Sequence, residues 1–320
     1  MAERLMLLDT PTLYFRAFYG IPESITAPDG MPINAVRGTL DFISALVTGY
    51  RPDRLIATFD ADWRPAFRVA LLPSYKAHRV VGEAAAAGDA AAAAGPVIEE
   101  IPDTLSPQVP VLEAVLDAFG LARGWAEEFE ADDAIAAYAA AHDGPVDVVT
   151  GDRDMFQLID DARAVRVLNI ARGVAKLEVL DDGALSAKYG VSGSGYAEFA
   201  TLRGDPSDGL PGVAGIGEKT AAALITEYGS LDALLAALDD PASALKPAAR
   251  KKLDAAREYL AVAPQVVRVR ADAPAVKVES ALPAGPAHPE ELAELSEQYG
   301  LSSPIKRLTK ALAAAANPAG

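Results

Sequence analysis

The sequence predicts an α/β fold with a mostly parallel central sheet, helices on both faces, and a C-terminal helical lobe. Three observations lead there. Short apolar, β-rich runs recur at residues 5–8, 55–59, 146–150 and 165–170, and stretches of helical spacing at 35–50, 111–119 and 131–142 fall between them. From about Gly204 onward the pattern becomes all-helical, with short helices and glycine turns. Strands that read as continuous apolar runs are buried on both faces, and their alternation with helices is the pattern of a parallel sheet. The expected domains are an α/β core over 1–203 and a helical lobe over 204–320.

Each element has a consequence for what lies beside it. Parallel sheets bind ligands beyond the carboxyl ends of their strands. Asp9, Asp60 and Asp152 each sit just after an apolar run, so the spacing brings three carboxylates to one sheet edge. Between residues 82 and 110 the texture changes. Alanines 84–87 and 90–94, broken by Gly88 and Gly95, precede Pro96, Pro102, Pro107 and Pro110. Such a stretch offers no apolar stripe for docking and is expected to be mobile. The chain carries no tandem repeat.

Composition excludes several classes. Among 320 residues, 51% are apolar and 23% charged, the balance of a soluble globular protein. No apolar stretch approaches the ~20 residues that span a bilayer, and the N-terminus lacks a basic region and cleavage site. No membrane association and a cytoplasmic location are expected. The absence of Cys removes disulfide and thiolate chemistry, and three scattered histidines (His78, His142, His288) argue against a His-ligated metal. A net charge of −16 opposes nucleic acid binding at first sight. A metal-binding carboxylate cluster would account for part of it without making the outer surface acidic, so the distribution of charge decides.

The acids fall in short segments. Glu130-Ala131-Asp132-Asp133 opens a helix, with Glu130 and Asp133 on one face of its first turn; acids there also complement the helix dipole. Thr150-Gly151-Asp152-Arg153-Asp154 follows a strand. If extended geometry continues, alternation aims Asp152 and Asp154 the same way; a capping role for a helix at 155–159 is the other reading. Gly204-Asp205-Pro206-Ser207-Asp208-Gly209 is a loop by composition. Each segment alone reads equally well as a cap or a turn. Taken together, Asp9, Asp60, Glu130, Asp132, Asp133, Asp152, Asp154, Asp205 and Asp208 form a set that needs cations if it converges. Oxygen donors without His or Cys select Mg²⁺ or Mn²⁺. Two such ions ~4 Å apart suit in-line attack of water on a phosphodiester, so a divalent-metal-dependent nuclease is expected.

The glycine-rich segment from Leu210 to Thr220 nearly matches a nucleotide-binding P-loop. Glu218, however, stands between the last glycine and Lys219, and a polar loop precedes the segment where a strand is required. The alternative is a helix-hairpin-helix type turn, in which Gly212, Gly215 and Gly217 admit a DNA backbone, and the amides of the next helix, with Lys219 and Thr220, receive a phosphate. Lys246, Arg250, Lys251, Lys252 and Arg257 follow as a basic helix, which also reads as an ordinary solvated face. A second basic patch, Arg64, Arg68, Lys76, His78 and Arg79, is interleaved with Trp63, Phe67 and Tyr75, a texture suited to stacking on bases; Phe67 reads equally well as core.

Four ordered segments resemble the bacterial 5′-nuclease family, which includes the nuclease domain of DNA polymerase I and the flap endonucleases. They are Phe67-Arg68 with Tyr75-Lys76-Ala77-His78-Arg79, the Glu130–Asp133 segment, the Thr150–Asp154 segment, and the run from Gly204 to Thr220. The likeness extends from Leu5 to about Leu308. It implies a PIN-like core that cuts 5′ flaps, nicked or gapped duplexes and 5′ ends in replication and repair, beside a separate polymerase and ligase. It implies that Asp9, Asp60, Glu130 and Asp132 serve one ion and that Asp152, Asp154 and Asp205 serve the other, with Asp133 and Asp208 bridging or outlying. Lys76 and Arg79 would contact the scissile phosphate, and Arg16 would lie near the path of the 5′ strand. DNA contacts would come from Arg64, Arg68, Tyr75, the three glycines, Lys219, Thr220, Arg250 and Lys251, with K⁺ a candidate at the glycine turn.

Three departures from that resemblance stand out. Thr10-Pro11 follows Asp9 where a glycine and polar residues are usual. Gly209 replaces a usual Asn, which is expected to loosen its acidic loop. No Lys or Arg occurs between Arg79 and Arg123, so an arch over about 64–110 would grip a threaded strand weakly. Two other functions stay open: a ribonuclease removing RNA from RNA/DNA hybrids, since no residue specifies the sugar, and a non-catalytic binder of branched DNA.

Overall fold

The computed structural model describes residues 2–83 and 97–316. The chain runs through β1 (Leu5–Asp9), α1 (Thr10–Gly20), α2 (Asn34–Tyr50), β2 (Arg54–Thr58), α3 (Ala66–Leu71), β3 (Val80–Glu83), β4 (Val97–Glu99), α4 (Gln108–Phe119), β5 (Ala122–Gly124), α5 (Ala131–Ala141), β6 (Val146–Thr150) and β7 (Val165–Asn169). It continues through β8 (Glu178–Leu180), α6 (Asp182–Tyr189), α7 (Gly193–Arg203), α8 (Glu218–Tyr228), α9 (Leu231–Asp239), α10 (Pro247–Ala255), α11 (Arg257–Val267), α12 (Pro289–Tyr299) and α13 (Ser302–Ala316). The strands order as β5-β2-β1-β6-β7-β8, all parallel except β8, which runs antiparallel to β7. β3 and β4 form a separate antiparallel pair. Of the segment 82–110 expected to be mobile, residues 84–96 lie outside the described residues, while the remainder holds β4 and the start of α4, with Leu105 fully buried.

Alternation along the strands builds two cores. In β1, Leu5 and Leu7 face one side with Ile135, Val148, Tyr196 and Phe199, while Met6 and Leu8 face the other with Leu40, Ile43, Leu112 and Leu116. A sheet apolar on both faces must be covered on both, and helices cover each.

The C-terminal third departs from the expected single lobe. Helices α8–α11 join α6 and α7 in the first core. The chain then returns across the sheet's far end, where Ala275 bridges Ala126 and Ala281 bridges Arg54. Helices α12 and α13 pack on α4 and α2 in the second core. Leu308 and Leu312 are fully buried there, and Arg307 pairs with Asp41 at 2.7 Å. Helical spacing gives a helix its apolar stripe but not the face that stripe will meet. The lobe boundaries of 204–320 therefore do not hold as a packing unit.

Candidate metal centre and nucleic-acid cleft

The carboxyl ends of β1, β2 and β6 converge on a cleft of about 780 Å³ lined by Asp9, Asp60, Glu130, Asp132 and Asp152. Asp9 is the last residue of β1 and also caps α1, accepting from Thr12 N at 3.1 Å. Its other oxygen accepts from Thr150 Oγ1 at 2.5 Å, and the same hydroxyl oxygen accepts from Asp152 N at 2.9 Å. Thr150 thus locks two acidic segments together. Asp60 accepts from Ala131 N at 2.7 Å, so the start of α5 is tied to the turn after β2.

Asp154 does not continue the strand. It opens a 3-10 turn (Asp154–Leu158), and its amide donates to Asp152 Oδ1 at 2.8 Å. Asx-turn geometry thus replaces the expected alternation. Asp154 and Asp208 line a small recess that shares Glu130 and Asp132 with the cleft. Asp205 caps its own turn, accepting from Ser207 N at 2.9 Å, with Arg203 and Arg153 at 3.3 and 3.4 Å.

Electrostatics shows how close these acids lie. Asp60 and Asp152 are exposed to water, and both line the cleft. The protein atoms of the cleft displace enough water to push the Asp60 carboxyl up to about 7; Lys76 opposes the shift, and Glu130 and Asp9 add to it. Asp132 is raised well above the usual carboxylate range by burial, then by the charges of Asp9, Asp152 and Glu130. Asp154 is raised likewise by burial, then by Asp152, Asp208 and Asp205. Acids close enough for one to raise the next lie in one field. Among the described residues no three acids stand as a ready ligand cage. Of these acids, Glu130 pairs with Lys76 and Arg68, Asp208 with Arg79, and Asp205 with Arg153 and Arg203. The donor set, all oxygen and mutually repelling, nonetheless fits hard divalent cations.

Several expected contacts take other roles. Arg68 is 2% exposed and so is no surface residue. Its guanidinium donates to both oxygens of Asp133 at 2.7 Å, to Glu130 Oε2 at 2.5 Å and to Val266 O at 3.0 Å. Arg270 N also donates to Asp133 Oδ1, at 2.8 Å. Asp133, fully buried and spoken for, is thus a structural ion-pair partner. Tyr75 is buried too, its hydroxyl donating to Glu130 Oε2 at 2.8 Å, so it offers no face to a base. Arg250 is spent on the carboxyl end of α9, donating to the carbonyls of Leu238, Ala237 and Asp240. Arg64 holds the carbonyls of Tyr75 and Pro73 at 2.7 and 3.0 Å.

Gly209 does not loosen its loop. Its φ is +72°, and a Cβ there would stand 2.1 Å from Ser74 O. Ser74 Oγ donates to Gly209 O at 2.9 Å and Lys76 N to Asp208 O at 3.0 Å, clamping the acidic loop to the basic segment. Lys76 itself pairs with Glu130 and donates to Trp63 O at 3.3 Å. Arg79 bonds Asp208 at 3.0 Å. Arg16 lines the cleft beside Phe15 and Tyr19.

Gly212 and Gly215 adopt φ of +65° and +75°, and Gly217 caps α8 with open space about it. Lys219, Thr220 and Lys251 are exposed, while Lys252 Nζ donates to Gly215 O at 2.7 Å. Sequence reasoning passed over Thr150, Glu99 and Arg172. Thr150 stood inside a quoted segment, next to the glycine that precedes Asp152. Glu99 and Arg172 line the cleft without any local pattern to mark them.

No single helix among the described residues is long and apolar enough to cross a membrane. The family model of the 5′-3′ exonuclease N-terminal, resolvase-like domain matches residues 4–190, and that of the 5′-3′ exonuclease C-terminal SAM fold matches 191–290. A 5′-3′ exonuclease of Streptomyces coelicolor is 58% identical over 309 residues, covering 97% of this chain and all of that one. DNA polymerase I of Mycobacterium tuberculosis is 41% identical over 239 residues, covering 73% of this chain and 24% of the polymerase. Bacteriophage T5 D15 flap endonuclease, solved as a pseudo-enzyme-product complex with DNA and metal ions, shares the fold. Its TM-score is 0.60 at 18% identity, covering 98% of this chain and 99% of that one. With both domain models matched in order and a relative aligned end to end, the chain belongs to the 5′-3′ exonuclease family of nucleases.

Proposed function

We propose that this protein hydrolyses DNA phosphodiesters at 5′ ends, 5′ flaps, nicks and gaps, leaving a 5′-phosphate and a 3′-hydroxyl. The observation that carries the reading is the convergence of carboxylates at one sheet edge, where Asp9, Asp60, Glu130, Asp132 and Asp152 line one cleft and burial raises Asp9, Asp132, Asp152 and Asp154. Asp9, Asp60, Glu130 and Asp132 would hold one Mg²⁺ or Mn²⁺, and Asp152, Asp154 and Asp205 a second, with Asp208 alongside. When bound, the ions supply an activated water and neutralise the leaving oxygen.

This chain's own residues do the rest. Lys76 and Arg79 bring positive charge to the phosphate from the clamped basic segment, where charge develops. Thr150 fixes the Asp9 carboxylate against the Asp152 turn. The glycine turn with Lys219 and Thr220 grips the duplex through amides at the start of α8, beside a K⁺. We place the work in cytoplasmic replication and repair, with a separate polymerase and ligase. In support, the T5 relative was solved with DNA and metal ions.

A chelator-sensitive flap-cleavage assay tests this. Asp152→Asn should abolish cleavage while DNA binding stays measurable; retained activity with Mg²⁺ or Mn²⁺ would refute the two-ion scheme. Matched substrates with DNA or RNA 5′ strands, including RNA/DNA hybrids, settle the sugar preference in the same assay.

A further inference from the structure

Among the described residues four buried side-chain nitrogen and oxygen atoms have no hydrogen-bond partner, and two of them, Tyr196 Oη and Arg203 Nη1, belong to α7. Tyr196, Phe199 and Arg203 stand at positions i, i+3 and i+7, one above another along a single face of that helix. Their side chains stack in the same order. The Tyr196 and Phe199 ring centroids lie 5.3 Å apart, and the Arg203 guanidinium lies 5.2 Å from the Phe199 centroid. The row packs on the 3-10 turn Asp154–Leu158, where the Phe156 ring meets Tyr196 edge-on at 5.3 Å.

Packing alone does not account for the hydroxyl. Tyr196 is fully buried among Phe156, Tyr189 and Phe199. Phenylalanine would fill the same place without burying an O–H that bonds nothing. Arg203 is almost as far inside, its side chain 11% exposed. Its Nε donates to Gly204 O at 3.1 Å and its Nη2 to Asp205 Oδ2 at 3.3 Å, which leaves Nη1 without an acceptor. Close to these two idle donors lies an idle acceptor. Asp154 spends its amide on Asp152 and its carbonyl on Gln157, but its carboxylate accepts no hydrogen bond among the described residues. The three groups sense one another. Burial holds the Tyr196 phenol above its ordinary range, Arg203 opposes that rise and Asp154 adds to it. Arg203 also opposes the rise at Asp154 that burial and the charges of Asp152, Asp208 and Asp205 produce.

We propose that Tyr196 and Arg203 are positioning residues for a divalent ion at Asp154 and Asp205. Arg203 fixes the Asp205 carboxylate through Nη2, and the Tyr196 hydroxyl and Arg203 Nη1 supply the donors that the Asp154 carboxylate lacks. Partners of this kind orient a ligand and raise its affinity for the ion. This support rests on the two-ion reading above and extends it into α7.

The test counts Mn²⁺ on the DNA-free protein by electron paramagnetic resonance of the unbound ion. The wild-type protein should hold at least two ions, and in Tyr196→Phe the dissociation constant of one of them should rise about tenfold while the rest stay put. Removing an unpaired buried hydroxyl should leave the metal-free melting temperature unchanged or raise it. The Mg²⁺ concentration for half-maximal flap cleavage should rise in parallel. Arg203→Met, which keeps an apolar stem on Phe199, should show the larger loss of Mn²⁺ affinity, and Arg203→Lys should regain part of it. Unchanged dissociation constants in Tyr196→Phe would overturn the role of the hydroxyl, and so would a loss of affinity matched by a lower metal-free melting temperature. A wild-type protein that holds no Mn²⁺, or only one ion, would instead overturn the two-ion reading.

Discussion

At the scale of single residues, Arg68 illustrates how charge in a sequence misleads. It stands among Arg64, Lys76 and Arg79, and nothing in that spacing separates a buried cation from exposed ones. Its role depends on Glu130 and Asp133, more than sixty residues away. Breaking a buried pair leaves the partner charge uncompensated, at about 3–5 kcal/mol. Arg68→Met should therefore lower unfolding free energy in urea by that amount, and Arg68→Lys by less. A loss under about 1 kcal/mol for the methionine variant would show that the pair is not the anchor described here. Thr150 teaches the converse lesson. The sequence displayed it beside Asp152, but only the parallel register of β1 and β6 brings it to Asp9.

Among the elements, the βα units were legible because an apolar run and a helical stripe each carry their own period. The expected strand at 146–150 coincides with β6, and the helix expected at 131–142 ends within a residue of α5. The partner of a helix is a long-range matter. Helices α12 and α13 carry the same kind of stripe as α8–α11, yet they cover the opposite face. Leu312, fully buried against the α2 side, should cost about 2–5 kcal/mol when changed to Ala. A mutant with an unchanged urea midpoint would mean that α13 is dispensable to the core. The 3-10 turn after β6 follows the second of the two readings open at this segment: an Asx turn at Asp152 competes with extension, and composition does not choose between them.

For the whole molecule, the −16 net charge and the carboxylate field have one thermodynamic signature. Burial raises the folded-state pKa of Asp60 to about 7 from 3.8, and raises Asp9, Asp132, Asp152 and Asp154 in the same direction. Between pH 4 and 7 the metal-free folded protein thus keeps protons that the unfolded chain has lost. Its stability falls as pH rises through that window and is lowest above it. Divalent cations that bind these deprotonated groups reverse the loss, and metal affinity rises with pH for the same reason. Melting temperature measured with and without Mg²⁺ should show a larger increment at pH 8 than at pH 5.5. Equal increments would contradict the assigned cluster.

The segment from α11 to α12 carries a mechanical consequence. The helices of the first core are entered from α7 and left through a strap that returns along the sheet, so they are pinned at two points. The second pin begins at Val266–Arg270, where Arg68 takes the Val266 carbonyl and Arg270 N reaches Asp133. Any torque from the duplex proposed to sit at the glycine turn would therefore be delivered next to the first turn of α5, within one guanidinium of Glu130.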